Sequence, residues 1–203
     1  MKIPYKKIFH TQKKCGEILS YYQYYMETKI ITASTTAKWV EQIPELENRL
    51  PENCILDKGI TGCGATTLAI ENDRSTLIAA PTVNLIKNKM QEHPDLLGVY
   101  GDVSNQEITD YLKTHDRWKI MATYDAVPRV VDVAGAEIYS KAFLLVDEYH
   151  RLLFDYSFRR SAVAGLLEQA PRFASKTFLS ATPIEQEFLL DELQGIPQVK
   201  IIW

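Results

Sequence analysis

The sequence predicts an α/β chain, a three-layer sandwich in which a mostly parallel sheet is covered by helices on both faces. Two observations carry that reading. Short, continuously apolar runs recur from residue 53 onward: CILD (54–57), TLIAA (76–80), LGVY (97–100), KIMAT (119–123), AFLLV (142–146), KTFLS (176–180) and VKIIW (199–203). Runs apolar at every position suit strands buried on both faces, as in parallel sheets. Stretches with helical spacing separate them, at 65–72, 83–92, 104–115, 124–134, 158–170 and 184–193, and this alternation is the pattern of repeated strand-helix crossovers. In such sheets ligands bind beyond the carboxyl ends of the strands, so the polar residues after each run are the first place to look for chemistry.

The segment before residue 53 has a different texture. Its first 14 residues, MKIPYKKIFHTQKK, carry five lysines and no acid, which reads as a solvated arm or as one that contacts phosphates. Residues 12–28 suggest a helix with Ile18, Leu19, Tyr22 and Met26 turned inward, and residues 35–49 a second one interrupted or restarted at Pro44. The expected organisation is a helical extension with a basic arm over 1–52 and a main domain over 53–203.

Composition narrows the function classes. With 203 residues and 46% hydrophobic content the chain can bury a sizeable core. A net charge of −3 excludes a uniformly basic, polyanion-binding surface, so any nucleic-acid contact must be local. The three cysteines, at 15, 54 and 63, form no metal-ligand pair and suit a reducing compartment. No run of about 18 apolar residues and no signal peptide is present, so the expectation is a cytoplasmic protein without membrane association.

Three polar segments fall at strand ends. LDKGITGCGATT (56–67) meets the phosphate-loop pattern GxxxxGK(S/T) at Gly59, Gly64 and Thr66, with Ala65 where the lysine belongs. Glycines at 59, 62 and 64 allow backbone amides to turn around phosphate oxygens, and Thr66 is placed to offer a hydroxyl to Mg²⁺. The plainer alternative is a glycine-rich turn capped by Thr66 or Thr67. AFLLVDEYH (142–150) delivers Asp147 and Glu148 at the end of a strand, suited to holding a metal and polarising a water, or merely to starting a helix. FLSATPI (178–184) ends in Ser180 and Thr182, which either bond to the Asp-Glu segment or cap a helix, with Pro183 at the first helical position and Glu185 completing a capping box.

TGCGAT, DEYH and SAT, in this order and at these separations, resemble motifs I, II and III of the superfamily 2 helicases, the DEAD/DEAH-box-like nucleic-acid-stimulated ATPases. AAPTVNLIKNK (79–89) is similar to motif Ia, and IMATYDAV (120–127) to the segment that follows it. The resemblance covers about residues 53–203 and implies a RecA-like P-loop NTPase fold, the first of two motor domains. It implies that the loop residues Gly59, Ile60, Thr61, Gly62, Cys63, Gly64, Ala65, Thr66 and Thr67 bind ATP. Thr66 and Asp147 would hold Mg²⁺, with Asp147 and Glu148 catalytic and Glu148 the base. His150, Ser180, Ala181 and Thr182 would couple hydrolysis to movement, and Pro81, Thr82 and Thr123 would lie near a DNA or RNA backbone.

Two departures qualify this. Ala65 supplies neither charge nor donor to the phosphates, a loss of about one to two decades in affinity and roughly 100- to 1000-fold in rate. Lys58, on the strand side of the loop, is expected to point away, and Lys87 and Lys89 lie on a neighbouring helix. Ala65→Lys is therefore expected to strengthen ATP binding. The family also uses a second RecA-like domain with further arginines, to be supplied in cis or in trans. The competing functions are a degenerate, non-catalytic docking module for nucleic acid or protein, and a P-loop enzyme unrelated to nucleic acid, such as a small-molecule kinase.

Overall fold

A computed structural model describes residues 28–46, 48–155 and 160–203. The basic arm and nearly all of the helix expected at 12–28 lie outside them. The described residues form an α/β fold around one parallel sheet of eight strands: β1 (Lys29–Thr32), β2 (Cys54–Asp57), β3 (Thr76–Ala80), β4 (Leu97–Val99), β5 (Lys119–Thr123), β6 (Phe143–Asp147), β7 (Ser175–Ser180) and β8 (Gln198–Ile202). Their spatial order is β1-β8-β2-β7-β6-β3-β5-β4, with every neighbouring pair parallel. The helices are α1 (Ala65–Glu71), α2 (Val83–Glu92), α3 (Asn105–Thr114), α4 (Val127–Ala134), α5 (Ile138–Lys141), α6 (His150–Asp155) and α7 (Arg160–Gln169).

The strand alternation divides the core in two. In β6, Leu144 and Val146 face one cluster, with Val127, Val130 and Val131 of α4 and Val163, Leu166 and Leu167 of α7. Phe143 and Leu145 face the other, with Leu68, Ala69 and Ile70 of α1 and Ile86 of α2. All five residues of β6 are buried, which is why this strand reads as an unbroken apolar run. Some caps are also as local rules require: the Thr82 hydroxyl accepts from the Leu85 amide at 3.3 Å at the start of α2, and Ser104 forms a capping box with Glu107 at the start of α3.

Three expectations are corrected. Residues 35–49 are not a helix; Val40–Gln42 and Pro44–Leu46 are single 3₁₀ turns. Val40, Ile43 and Leu46 are all buried, and their three-residue spacing is the period of a 3₁₀ turn, close enough to 3.6 to be taken for α. The 184–193 stretch likewise resolves into 3₁₀ turns at Gln186–Phe188 and Asp191–Leu193. The segment Lys29–Thr32, read from sequence as part of a helical extension, is instead an edge strand on β8, pairing Lys29 with Val199 through Thr32 with Ile202. Only Ile31 of its four residues is buried, so it carries no apolar run.

Register sets the site. Asp57 lies opposite Ser180, Asp147 opposite Leu179, and Ala80 opposite Thr123. Because all these strands run the same way, their carboxyl ends share one edge of the sheet.

Candidate functional site

At that edge a cleft of about 600 Å³ opens between the loop after β2 and the end of β6. Its wall on one side is Gly62–Thr67, and its floor is Lys58, Asp147 and Glu148. The loop adopts left-handed backbone at Gly59 (φ 73°), Gly62 (φ 70°) and Gly64 (φ 81°), a conformation glycine reaches without a Cβ penalty. The three glycines do different work. A Cβ on Gly59 would lie 2.7 Å from the Ile201 carbonyl oxygen and 2.9 Å from the Trp203 ring, whereas one on Gly62 would meet nothing within 4 Å. Gly59 is thus required by packing, while Gly62 keeps the backbone open to the cleft.

Asp147 is 2% exposed at the end of β6. Its Oδ2 accepts a hydrogen bond from Thr66 Oγ1 at 2.8 Å, and its Oδ1 is buried with no hydrogen-bond partner. A buried carboxylate oxygen left without a donor is costly, and burial pushes the Asp147 carboxyl above the usual carboxylate range, although Lys58 and Thr66 pull the other way. Lys58 Nζ lies 3.9 Å from that oxygen, too far for a hydrogen bond, and a donor set of one hydroxyl and one carboxylate oxygen without a hydrogen bond fits a hard cation such as Mg²⁺. The described residues hold no group of three or more His, Cys, Asp or Glu that would complete a metal site, so a cation here would take its remaining oxygens from phosphate and water, which Mg²⁺ readily accepts.

Glu148 has φ 52°, rare for a residue with a side chain and worth roughly 1–2 kcal/mol of strain. It is held there by its surroundings. Tyr124, itself buried, donates through its hydroxyl to the Asp147 carbonyl at 2.6 Å, with the Glu148 carbonyl 3.2 Å away. Glu148 Oε1 accepts from Lys58 Nζ at 2.7 Å, and Oε2 lies 3.3 Å from His150 Nδ1. His150 Nδ1 is also 2.8 Å from Ser180 Oγ, which accepts from the Thr182 amide at 2.8 Å. The polar ends of β6 and β7 are thereby joined through one imidazole. Thr182 begins no helix; its amide closes a turn onto Ser180, so the helix-capping alternative for SAT does not hold.

The structure therefore brings together Gly62, Cys63, Gly64, Ala65, Thr66, Thr67, Asp147 and Glu148 in one cleft, with His150 and Ser180 behind it. Ile60 and Thr61 are exposed at the tip of the loop. Pro81 is half-buried after β3 and Thr82 is exposed at the start of α2, on the same edge, whereas Thr123 is 5% exposed and offers little surface. Lys89 reaches Thr67 Oγ1 at 3.0 Å and Glu92 Oε2 at 2.6 Å on the cleft's outer side. Lys87 lies over the Tyr100 ring.

Sequence reasoning missed three contributors. Lys58 enters the cleft instead of pointing away. Tyr124 is the support of the strained Glu148 backbone. Trp39, 46% exposed, lines the cleft and sits 3.4 Å from where a Cβ on Gly64 would be, while the adjacent Val40 amide donates to the Cys63 carbonyl at 2.9 Å. The only sequence signal for Tyr124 is its place directly after an apolar strand; Trp39 lies too far from any motif to have one.

No protein-family model matches the chain, and no curated protein does. Among solved structures it is similar to the Pyrococcus furiosus Hef helicase domain, with a TM-score of 0.51 and 15% sequence identity over 92% of this chain. The chain spans 37% of the length of that structure. A likeness at this identity shows a helicase-like fold.

Proposed function

We propose that the chain is an ATP-binding motor domain of a DEAD/DEAH-like superfamily 2 helicase or nucleic-acid translocase. The observation that carries this is the Thr66–Asp147 hydrogen bond beneath a glycine loop, with a buried Asp147 oxygen that has no hydrogen-bond donor at the same cleft. An anion-receptive backbone above a hard-cation site suits a magnesium nucleotide better than any other common ligand. Bound there, Mg²⁺ would neutralise charge on the phosphates. Thr66 and Asp147 hold the cation's position. Glu148 would accept a proton from an attacking water at a carboxylate oxygen, and His150, between that carboxylate and Ser180, would carry a change at the phosphates to β7. DNA or RNA would lie along the edge that carries Pro81 and Thr82, and a second RecA-like domain, in cis or in trans, would complete the site.

Titration of a fluorescent ATP analogue tests this reading. Binding that requires Mg²⁺ is expected, and no binding at millimolar nucleotide would remove the nucleotide role. Ala65 favours a second reading, a non-catalytic module that docks nucleic acid or protein. DNA- or RNA-stimulated ATP hydrolysis by the full-length protein, abolished by Glu148→Gln, would overturn that alternative.

A further inference from the structure

The cleft faces an anion with a loop that lacks its usual cation, and yet a lysine side chain stands in it. Lys58 is 6% exposed, the residue immediately after β2 and before Gly59. Its backbone is clamped on both sides: its amide donates to the Ser180 carbonyl at 2.9 Å, and its carbonyl accepts from Trp203 Nε1 at 2.8 Å. With the main chain fixed, the side chain runs into the cleft and places Nζ 2.7 Å from Glu148 Oε1 and 3.9 Å from Asp147 Oδ1. Among the described residues lining the cleft, Lys58 and Lys89 are the cations, and Lys89 is engaged with Glu92 and Thr67 on the outer side. Ala65, 3% exposed, lines the same cleft and supplies it no charge.

We propose that Lys58 is the phosphate-contacting cation of this site, reaching it from before the first glycine and taking the role left open by Ala65. Two carboxylates face its terminal nitrogen, Glu148 at 2.7 Å and Asp147 at 3.9 Å, so the side chain sits where a cation is favoured. The present pairing with Glu148 then has a meaning. Glu148 Oε1 is occupied by the ammonium at 2.7 Å, and arrival of phosphate oxygens gives the ammonium another anionic partner, freeing that oxygen to face water. One side chain would thus serve as phosphate ligand when nucleotide is bound and as a restraint on Glu148 when it is not.

The inference rests on the nucleotide reading of the same cleft, and one experiment separates the two. A fluorescent ATP analogue and the corresponding adenosine analogue are titrated, with Mg²⁺, into the wild-type chain, Lys58→Met, Ala65→Lys and the double variant, with thermal melts to establish folding. Lys58→Met is expected to weaken the ATP analogue by roughly 10- to 100-fold while leaving the adenosine analogue unchanged, and adding Ala65→Lys to it is expected to restore affinity. Ala65→Lys alone gains little, because the cation is already supplied. This reverses the expectation from the loop sequence. Should Lys58→Met fold and bind ATP as tightly as the wild type, or lose both analogues equally, the assignment of Lys58 is wrong and the nucleotide reading stands. If Lys58→Met does not fold, Ala65→Lys decides: a gain of about tenfold or more would show that the phosphates lacked a cation and overturn the proposal, while no gain supports it. A wild-type chain that binds neither analogue removes both readings together.

Discussion

The two walls of the cleft are built on opposite principles. The loop from Gly59 to Thr67 presents mainly backbone, shaped by three glycines at positive φ, whereas the ends of β6 and β7 present side chains wired to one another through Lys58, Glu148, His150 and Ser180. A backbone wall is indifferent to most side-chain identities, so it tolerates Ala65. A wired wall is not, because each member positions the next. The difference teaches where sequence variation can be absorbed: on the loop side a cation need only reach the same volume, from whichever neighbouring position has a fixed main chain and a long enough stem.

The largest effect is expected on the wired wall. Glu148→Gln keeps the shape of the side chain but cannot take up a proton, and under the proposed function phosphate release should fall by at least about 100-fold, with binding of the ATP analogue retained. Loss of binding together with rate would mean that Glu148 holds the cleft open instead of serving the reaction. Next come Gly59 and Gly62, two of the three glycines of the backbone wall, which should separate stability from binding. Gly59→Ala drives a methyl group against the Ile201 carbonyl and should cost about 2–4 kcal/mol in denaturant unfolding. Gly62→Ala meets no neighbour and should cost about 1 kcal/mol while weakening the ATP analogue by more than that strain explains. Equal losses in both variants would show that the two glycines do one job.

The smallest effect runs in the stabilising direction. Burial raises the Asp147 carboxyl above its ordinary value of 3.8, so the folded chain keeps a proton that the unfolded chain gives up first. Stability contributed by this group is therefore present below 3.8 and is lost as pH rises through the folded value, leaving a deficit at neutral pH. Asp147→Asn removes the deficit and should raise Tm at neutral pH, with the advantage vanishing in acid. The same variant should lose the Mg²⁺ dependence of nucleotide binding. A variant less stable at neutral pH would mean that Lys58 gains more from Asp147 than burial costs.

The strands that hold the site were legible because both faces of each are covered. CILD, TLIAA and KIMAT read as apolar runs and are strands at those bounds, Cys54–Asp57, Thr76–Ala80 and Lys119–Thr123. What failed to read had less burial or an ambiguous period. KIIT is an edge strand with one buried residue, and Val40, Ile43 and Leu46 fit either a 3₁₀ turn or an α-helix over so short a span. At the site, residue types at strand ends pointed to Thr66, Asp147 and Glu148. The direction of Lys58 was not readable, because it depends on β7 and Trp203 fixing its main chain from far along the sequence.

The position of β8 has a consequence for how the molecule is assembled. It lies between β1 and β2, so β1, made early, gains the one strand neighbour it has among the described residues only after residue 202 has been synthesised. Until then β1 has no strand partner among the described residues and the β8 side of β2 stays open, a non-local closure that is slow to form and prone to mispairing. The closing strand also delivers Trp203 to the Lys58 carbonyl. Docking of β8 thus helps to set the cleft lysine in place, and a ligand held by that lysine would favour the chain with β8 docked over the chain without it by mass action.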